Sequence, residues 1–393
     1  MPPICDEREQ VDMAVFLTGA TGYLGSYIAQ GILRNHKENL NLLVRADSPE
    51  AGRKRLWKSL QLHMDFEEFE SYIEDRITVY TGDLTSPKLG MSDDMWDQCV
   101  KSTNSIIHCA ASLNRKSAKA CFNVNLRGTL EVVKLATDVR DHHGLRRFSD
   151  VSTVAVAGFR NNEVVDEEHI IEWSRSDYDP YARTKKFCEH MVHELLPTTD
   201  IRIFRPATVL GDSRFPQTSQ FDMVRAFVFL AKLPVLPFRP DWRMDIVPAN
   251  YVGKAIEHVH MADAPKYPSY NLSSGVSSLS YAAVVRALDP ALGKTTRFAP
   301  SLQWPFTRMV ETLTNTPRKW GVAPYASIMK VFLPYLTNDT VFDNSRVIEE
   351  LGYAPEPFDT YAYGLFRFAV DNGFQYPYKP WPDSRPASRK KVA

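Results

Sequence analysis

Between residues 13 and 204, short runs of four or five mostly apolar residues alternate with longer stretches in which apolar positions recur every three or four residues. The short runs, at 13–17, 41–44, 77–81, 105–109, 147–151 and 201–204, predict strands buried on both faces. The longer stretches, at 23–34, 50–62, 118–138 and 180–195, predict helices. Strands without a polar face, alternating with helices, build a parallel sheet covered on both sides. The expected class is therefore α/β, a doubly wound parallel sheet.

After Pro206 the rhythm breaks into proline-rich and aromatic segments, such as Lys232-Leu-Pro-Val-Leu-Pro-Phe-Arg-Pro240 and Trp304-Pro-Phe306, which predict loops and short helices rather than sheet. Asp245-Ile-Val-Pro248 and Tyr270-Asn-Leu-Ser273 read as returns of the chain to the sheet. The expected organisation is a sheet domain over 13–210 and 245–275, interleaved with a smaller C-terminal substrate lobe over 211–244 and 276–378. The segment 379–393, with Arg385, Arg389, Lys390 and Lys391 among prolines and serines, reads as a disordered basic tail. No internal repeat is visible.

At 393 residues the chain can bury a large core, and its 47 basic and 47 acidic residues balance, so no global charge favours nucleic acid or an anionic membrane surface. Five cysteines, odd in number and without a Cys-x-x-Cys pair, argue against a disulfide framework and against zinc, and fit a reducing cytoplasm. No metal site is expected: His108, His190 and His193 lack ligand spacing with a second cluster. No apolar run approaches the roughly 18 residues of a membrane span, and residues 1–12 are polar and acidic, unlike a signal peptide. A soluble protein, without membrane insertion, is expected.

Candidate chemistry begins at Gly19-Ala-Thr-Gly-Tyr-Leu-Gly25, a glycine-rich turn between the first strand and the first helix. Glycine lets backbone approach a pyrophosphate, and a helix N-terminus offers unpaired N–H groups and positive dipole. Thr18 and Thr21 add hydroxyl partners. Arg45 ends the second strand, and a guanidinium there pairs bidentately with a 2′-phosphate, favouring NADPH, with Arg55 on the next helix as a second contact. The competing arrangement leaves Arg45 in solvent and has Asp47 hold a ribose.

Tyr181 and Lys185, four apart on a predicted helix, share one face. A free phenol, with a pKa of about 10, is a poor donor at neutral pH, and a neighbouring ammonium lowers it. Upstream, Val151-Ser-Thr-Val154 follows a strand and offers a hydroxyl, with Thr153 favoured over Ser152 by alignment through Gly158.

The glycine spacing, the Tyr-x-x-x-Lys pair and their order resemble the extended short-chain dehydrogenase/reductases, which have a Rossmann fold, from about residue 13 to 271. The resemblance implies a catalytic triad of Thr153, Tyr181 and Lys185. It also implies cofactor contacts from Gly19, Thr21, Gly22, Tyr23, Leu24, Gly25, Arg45 and Arg55, from Asp83 and Leu84 after the third strand, and from Ala110 and Ala111 after the fourth. Asn125 on the next helix, Tyr181, Lys185 at the nicotinamide ribose, and Pro206 and Val209 complete that set.

Within the superfamily, Phe16–Gly25, Leu42-Leu-Val-Arg-Ala46 with Arg53-Lys-Arg-Leu56, Phe221-Asp-Met223 and Met244-Asp-Ile-Val-Pro248 resemble the thioester reductases that end peptide and polyketide assembly lines, and the fatty acyl-CoA reductases. This implies NADPH-dependent reduction of an acyl thioester to an aldehyde, or on to an alcohol. Because 393 residues leave no room for a carrier domain, the thioester is expected on the phosphopantetheine of a separate carrier protein or on coenzyme A. Residues 227–238 can line an acyl channel or serve as core. A ketone dehydrogenase, a sugar-nucleotide epimerase and a non-enzymatic cofactor sensor use the same fold; an intact Tyr181 and Lys185 speak against the last.

Overall fold

The computed structural model describes residues 13–316, 323–337 and 339–382. Seven parallel strands form the main sheet: β1 (Ala14–Thr18), β2 (Asn39–Val44), β3 (Ile77–Thr81), β4 (Thr103–His108), β5 (Arg147–Val151), β6 (Ile201–Pro206) and β7 (Ser269–Leu272). Their spatial order is β7-β6-β5-β4-β1-β2-β3, so the winding direction reverses between β1 and β4. This is a doubly wound fold, as the sequence pattern predicts.

Alternation along single strands divides the apolar residues between two faces. Val15 and Leu17 of β1 face a core that includes Ile28 and Ile32 of α1 (Tyr23–Asn35), Leu56 and Trp57 of α2 (Pro49–Leu60) and Phe69 of α3 (Phe66–Asp75). Phe16 points the other way, with Trp96 of α4 (Asp93–Ser102) and Val132 and Val139 of α5 (Gly128–His143). Ile106 and Ile107 of β4 split in the same manner. The second face also takes Val192 of α6 (Pro180–Leu195).

The C-terminal lobe differs from its sequence reading. It is built on helices of full length: α7 (Asp222–Lys232), then, after α8 (Ala249–Met261) returns to the sheet, α9 (Tyr281–Leu292), α10 (Gln303–Thr314) and α11 (Ala323–Leu336). The chain crosses back once more in α12 (Ser345–Leu351), whose Val347 enters the sheet core, before α13 (Phe358–Asp371) closes the lobe. Trp304-Pro-Phe306 is not a loop: it opens α10, where a proline in the first turn loses no intrahelical bond. Residues 269–272 do join the main sheet, but Ile246–Val247 pairs only with Thr208–Val209, a two-residue ladder outside it. Phe227, Val228, Leu230, Leu236 and Phe238 belong to the lobe's core.

Residues 379–382, the start of the segment expected as a tail, are packed against the sheet domain. Lys379 N–H donates to Gln61 Oε1 (2.6 Å), and Trp381 stacks edge-on to Phe66 at 5.1 Å, so the chain up to that point is held against α2 and α3. Arg385, Arg389, Lys390 and Lys391 lie outside the described residues, as do residues 1–12.

One buried charge fastens the sheet to α8. Arg147 opens β5 with only 2 % of its surface exposed, and its Nη1 donates to the carbonyls of Val259 (3.0 Å), His260 (2.6 Å) and Ala262 (2.7 Å) while Nε donates to Asp200 (2.8 Å). It thereby satisfies carbonyls that the end of a helix leaves without partners. Arg147→Met strands three buried acceptors, each worth about 1 kcal/mol or more. The urea midpoint followed by circular dichroism is expected to fall by the equivalent of about 3 kcal/mol, and an unchanged midpoint would show that water replaces the guanidinium.

Candidate active site

A cleft of about 530 Å³ opens at the C-terminal ends of the strands, where the winding reverses between β1 and β4. Ligands of open α/β sheets bind at this switch point. One wall is the turn from Thr18 into α1. Gly19 has φ +84°, and a Cβ there would stand 2.8 Å from the Ala110 nitrogen. A Cβ on Gly25 would meet the Gly19 carbonyl oxygen at 2.0 Å. Both positions exclude any other residue, and the N–H of Gly22 closes the turn on the Gly19 carbonyl (2.8 Å). The turn presents backbone and the start of α1 to the cleft, which suits a pyrophosphate.

The floor is fixed by Thr18. Its Oγ1 accepts from the N–H groups of Cys109 and Ala110 (3.2 Å each) and lies 2.8 Å from His108 Nδ1. Burial pushes the His108 imidazole down to about 3, so it is neutral and structural. Thr21, Tyr23 and Leu24 line the cleft beside the three glycines. Arg45 and Arg55, both exposed, reach its far end; Asp47, also exposed, is not on the wall. Asp83, lowered by its hydrogen bonds from Thr85 and by Arg45, lines it with Leu84. Ala110, Ala111, Pro206 and Val209 complete that side.

Thr153 and Tyr181 also line the cleft. Thr153 Oγ1 accepts from Ala155 N–H (3.2 Å) and donates to the Pro206 carbonyl at 3.4 Å; Ser152 also lines the cleft, and its buried hydroxyl has no hydrogen-bond partner among the described residues. Two expected contacts stand behind the wall. Asn125 accepts from Ser112 N–H (2.7 Å) and donates to Thr184 Oγ1 (3.0 Å), so it pins the loop after β4 to α6. Lys185, 1 % exposed, donates to the Val151 carbonyl (2.7 Å) and lies 3.7 Å from Asp150 Oδ1. Burial alone would lower the Lys185 ammonium, but Asp150 and its neighbours hold it above its ordinary value, so it is charged.

The expected depression of the Tyr181 phenol is not the net result. Burial raises it, Lys185 and then Arg115 pull it down, and burial wins. Arg115 escaped the sequence reading: its guanidinium lies 4.5 Å from the Tyr181 ring centroid and lines the cleft. It pairs with Asp179 (2.9 Å), which caps α6 by accepting from Ala182 N–H (2.8 Å). Asp179 also accepts from Tyr335 OH (2.8 Å), which in turn is hydrogen-bonded by Arg115. Tyr335 and Phe332 bring α11 of the lobe onto the cleft. The position of Arg115, a few residues past a strand end at the switch point, was a usable signal; Tyr335, 220 residues away, carried none. No cluster of metal-ligating side chains occurs among the described residues.

Residues 17–256 match the model of a family described as male sterility protein, an NAD-binding family. The chain belongs to that family. This male sterility-type chain is 28 % identical over 268 residues to a component of the linear gramicidin synthase of Brevibacillus parabrevis, an alignment covering 66 % of the chain and 5 % of that protein. It spans between 5 and 26 % of the length of the first four curated relatives. In fold it is similar to the terminal R domain of the myxalamid PKS-NRPS pathway, with a TM-score of 0.78 at 23 % identity over 93 % of this chain and 92 % of that one. It is also similar to a thiolation-reductase di-domain from an archaeal non-ribosomal peptide synthetase, with a TM-score of 0.70 at 18 % identity over 92 % and 76 %. The family match spans both the glycine turn and the Tyr-x-x-x-Lys pair.

Proposed function

We propose that this protein is an NADPH-dependent reductase of acyl thioesters that releases an aldehyde and a free thiol. The observation that carries the reading is the convergence, on one cleft, of the glycine turn, the buried Tyr181 under two cations and the helices of a separate apolar lobe. Residues 13–210 and 245–275 hold the dinucleotide; 211–244 and 276–378 form the substrate side. The bound cofactor supplies the hydride. Tyr181, oriented by α6, gives its proton to the oxygen on which negative charge develops, and Thr153 donates a hydrogen bond to it. Lys185 acts on Tyr181 through its charge from behind the wall. Collapse of the resulting thiohemiacetal breaks the C–S bond and releases one thiol per aldehyde.

The relatives' names, a gramicidin synthase and reductase domains of assembly lines, support a substrate carried on the phosphopantetheine of a carrier protein, with coenzyme A as the other source of the same arm. NADPH is favoured because Arg45 and Arg55 both stand on the cleft wall and Asp47 does not. Among the described residues the cysteines at 99, 109, 121 and 188 are unpaired, which fits a reducing cytoplasm, and no helix is long and apolar enough to cross a membrane.

With acyl-pantetheine or carrier-bound acyl thioester and NADPH, a thiol reagent is expected to report one thiol per NADPH if reduction stops at the aldehyde, and about half that if it continues to the alcohol. NADPH oxidation without thiol would leave ketone chemistry as the reading. In a binding titration, Arg45→Ala is expected to weaken NADPH relative to NADH by roughly ten- to a hundredfold, the value of a charge-assisted bidentate pair. An unchanged ratio would remove Arg45 from cofactor choice.

Arg115 lowers the Tyr181 phenol, so Arg115→Met raises it further and keeps it protonated to higher pH. The alkaline limb of the kcat profile is expected to move up while turnover at pH 7 falls about tenfold, a part of the roughly 10²–10⁴ that a general acid contributes. Arg115→Lys should restore the limb. A limb that stays in place in the methionine variant would reduce Arg115 to a structural tie.

A further inference from the structure

The last described residues cross from the lobe to the sheet domain. After α13 the Phe374 carbonyl accepts from Arg225 Nη2 on α7 (3.1 Å), and the Tyr376 ring stands 6.5 Å from that of Phe368, so this stretch starts against the lobe's core. It then reaches α2. Lys379 N–H donates to Gln61 Oε1 (2.6 Å) and Gln61 Nε2 donates to the Lys379 carbonyl (3.4 Å), so one side-chain amide clasps the backbone with both of its groups. The Pro380 carbonyl accepts from the Trp57 indole (3.4 Å), and Lys58 Nζ lies 4.6 Å from the Tyr378 ring centroid. Trp381 covers Phe66 and Phe69 at 5.1 and 6.1 Å, completing an aromatic cluster with Trp57. Residues near a chain end stay ordered where something ties them down, and here consecutive residues are tied to one end of one helix.

The same end of α2 is bonded to the cofactor turn. Ser59 Oγ donates to the Thr21 carbonyl (2.8 Å), inside the glycine turn. Just beyond α2, His63 Nε2 lies 2.9 Å from Ser26 Oγ on the first turn of α1, and burial pushes that imidazole down to about 3, so it is neutral. One helical turn before Ser59, Arg55 donates to the Arg45 carbonyl, and both arginines line the cleft. Ser59 and Gln61 are two residues apart, about 200° around a helix, so the glycine turn and the crossing stretch grip α2 from different sides.

We propose that residues 378–381 are a positioning strap for the cofactor site. By holding the C-terminal end of α2 they keep Ser59 on the Thr21 carbonyl and Arg55 on the strand end at Arg45, and so set the affinity for the phosphate-bearing adenosine half of the dinucleotide. The strap itself does not line the cleft and acts only through α2. The proposal rests on the dinucleotide reading of the cleft and is independent of the thioester.

The test uses the full chain and two readouts: calorimetric binding of NADPH and of adenosine 2′,5′-bisphosphate, the adenosine half alone, and amide hydrogen exchange over residues 19–26 without nucleotide. Trp381→Ala removes the cover of the aromatic cluster, Trp381→Phe keeps a ring there, and Gln61→Met opens the clasp from the helix side; far-UV circular dichroism checks that each variant folds. Trp381→Ala and Gln61→Met are expected to raise the Kd of both nucleotides by about 3- to 30-fold. Both should also quicken exchange over 19–26, and Trp381→Phe should recover most of the affinity. Ser59→Ala combined with Trp381→Ala should weaken binding by less than the product of the single effects, because both act on one contact. In turnover with acyl-pantetheine the loss falls on the KM for NADPH, while kcat at saturating cofactor is retained. Unchanged Kd values, single effects that multiply, or a loss at NADPH that the bisphosphate does not share would overturn the proposal. If Trp381→Ala does not fold, Gln61→Met with Ser59→Ala carries the same test. If the wild type binds neither nucleotide, the dinucleotide reading fails and exchange alone decides the strap: faster exchange in the variants upholds it, and unchanged protection overturns it.

Discussion

Everything at the cleft depends on how closely two backbone turns touch. Where the sheet reverses its winding, Gly19 lies so near Ala110 that a single added carbon would sit 2.8 Å from its nitrogen, and Gly25 is tighter still against the Gly19 carbonyl oxygen. That approach is locked from below. Thr18 accepts two N–H groups from the turn after β4 while facing a fully buried, neutral His108, whose other nitrogen lies 3.0 Å from Thr129 on α5. The polar atoms that pack the two strand ends together are thereby used up on each other, and the first turn of α1 is left facing the cleft.

The same burial that fixes this geometry sets the energetics at Tyr181. An ammonium near a phenol favours the phenolate in proportion to its proximity, but moving the phenol out of water disfavours that charge more, and here desolvation is the larger effect. One cation behind the wall does not overcome it. A second, Arg115, works in the same direction from the cleft side and is itself held by Asp179 and Tyr335. The phenol is thus poised by opposing influences rather than by its helical neighbour alone.

Much of this was legible in the chain. The short apolar runs located the first six strands of the sheet because each has apolar side chains on both covered faces, even where buried polar residues such as Arg147 and Asp150 interrupt the run. The glycine turn and Tyr181 were legible because each needs a fixed local spacing, which a sequence displays directly. Lys185 was found by the same spacing but not its placement, since whether its amine reaches the cleft or the Val151 carbonyl is decided by the strand beneath α6. The lobe was least legible. Its prolines at 290, 305 and 334 fall in or near helix ends, where tertiary packing and the first-turn exemption override their usual reading as breakers. The docked stretch from Lys379 to Trp381 was hidden because its partners, Gln61 and Phe66, lie more than 300 residues away.

One carboxylate joins these levels. Asp179 caps α6 immediately before Pro180, so it helps set where Tyr181 begins on the helix; it neutralises Arg115, so it governs the charge above the phenol; and it accepts from Tyr335, so it ties both to α11. Because a carboxylate that is mostly withdrawn from water needs partners for its charge, withdrawing any one of the three shifts the others. Through Tyr335 the lobe is tied, by contacts already present in the fold, to the charges that act on the phenol.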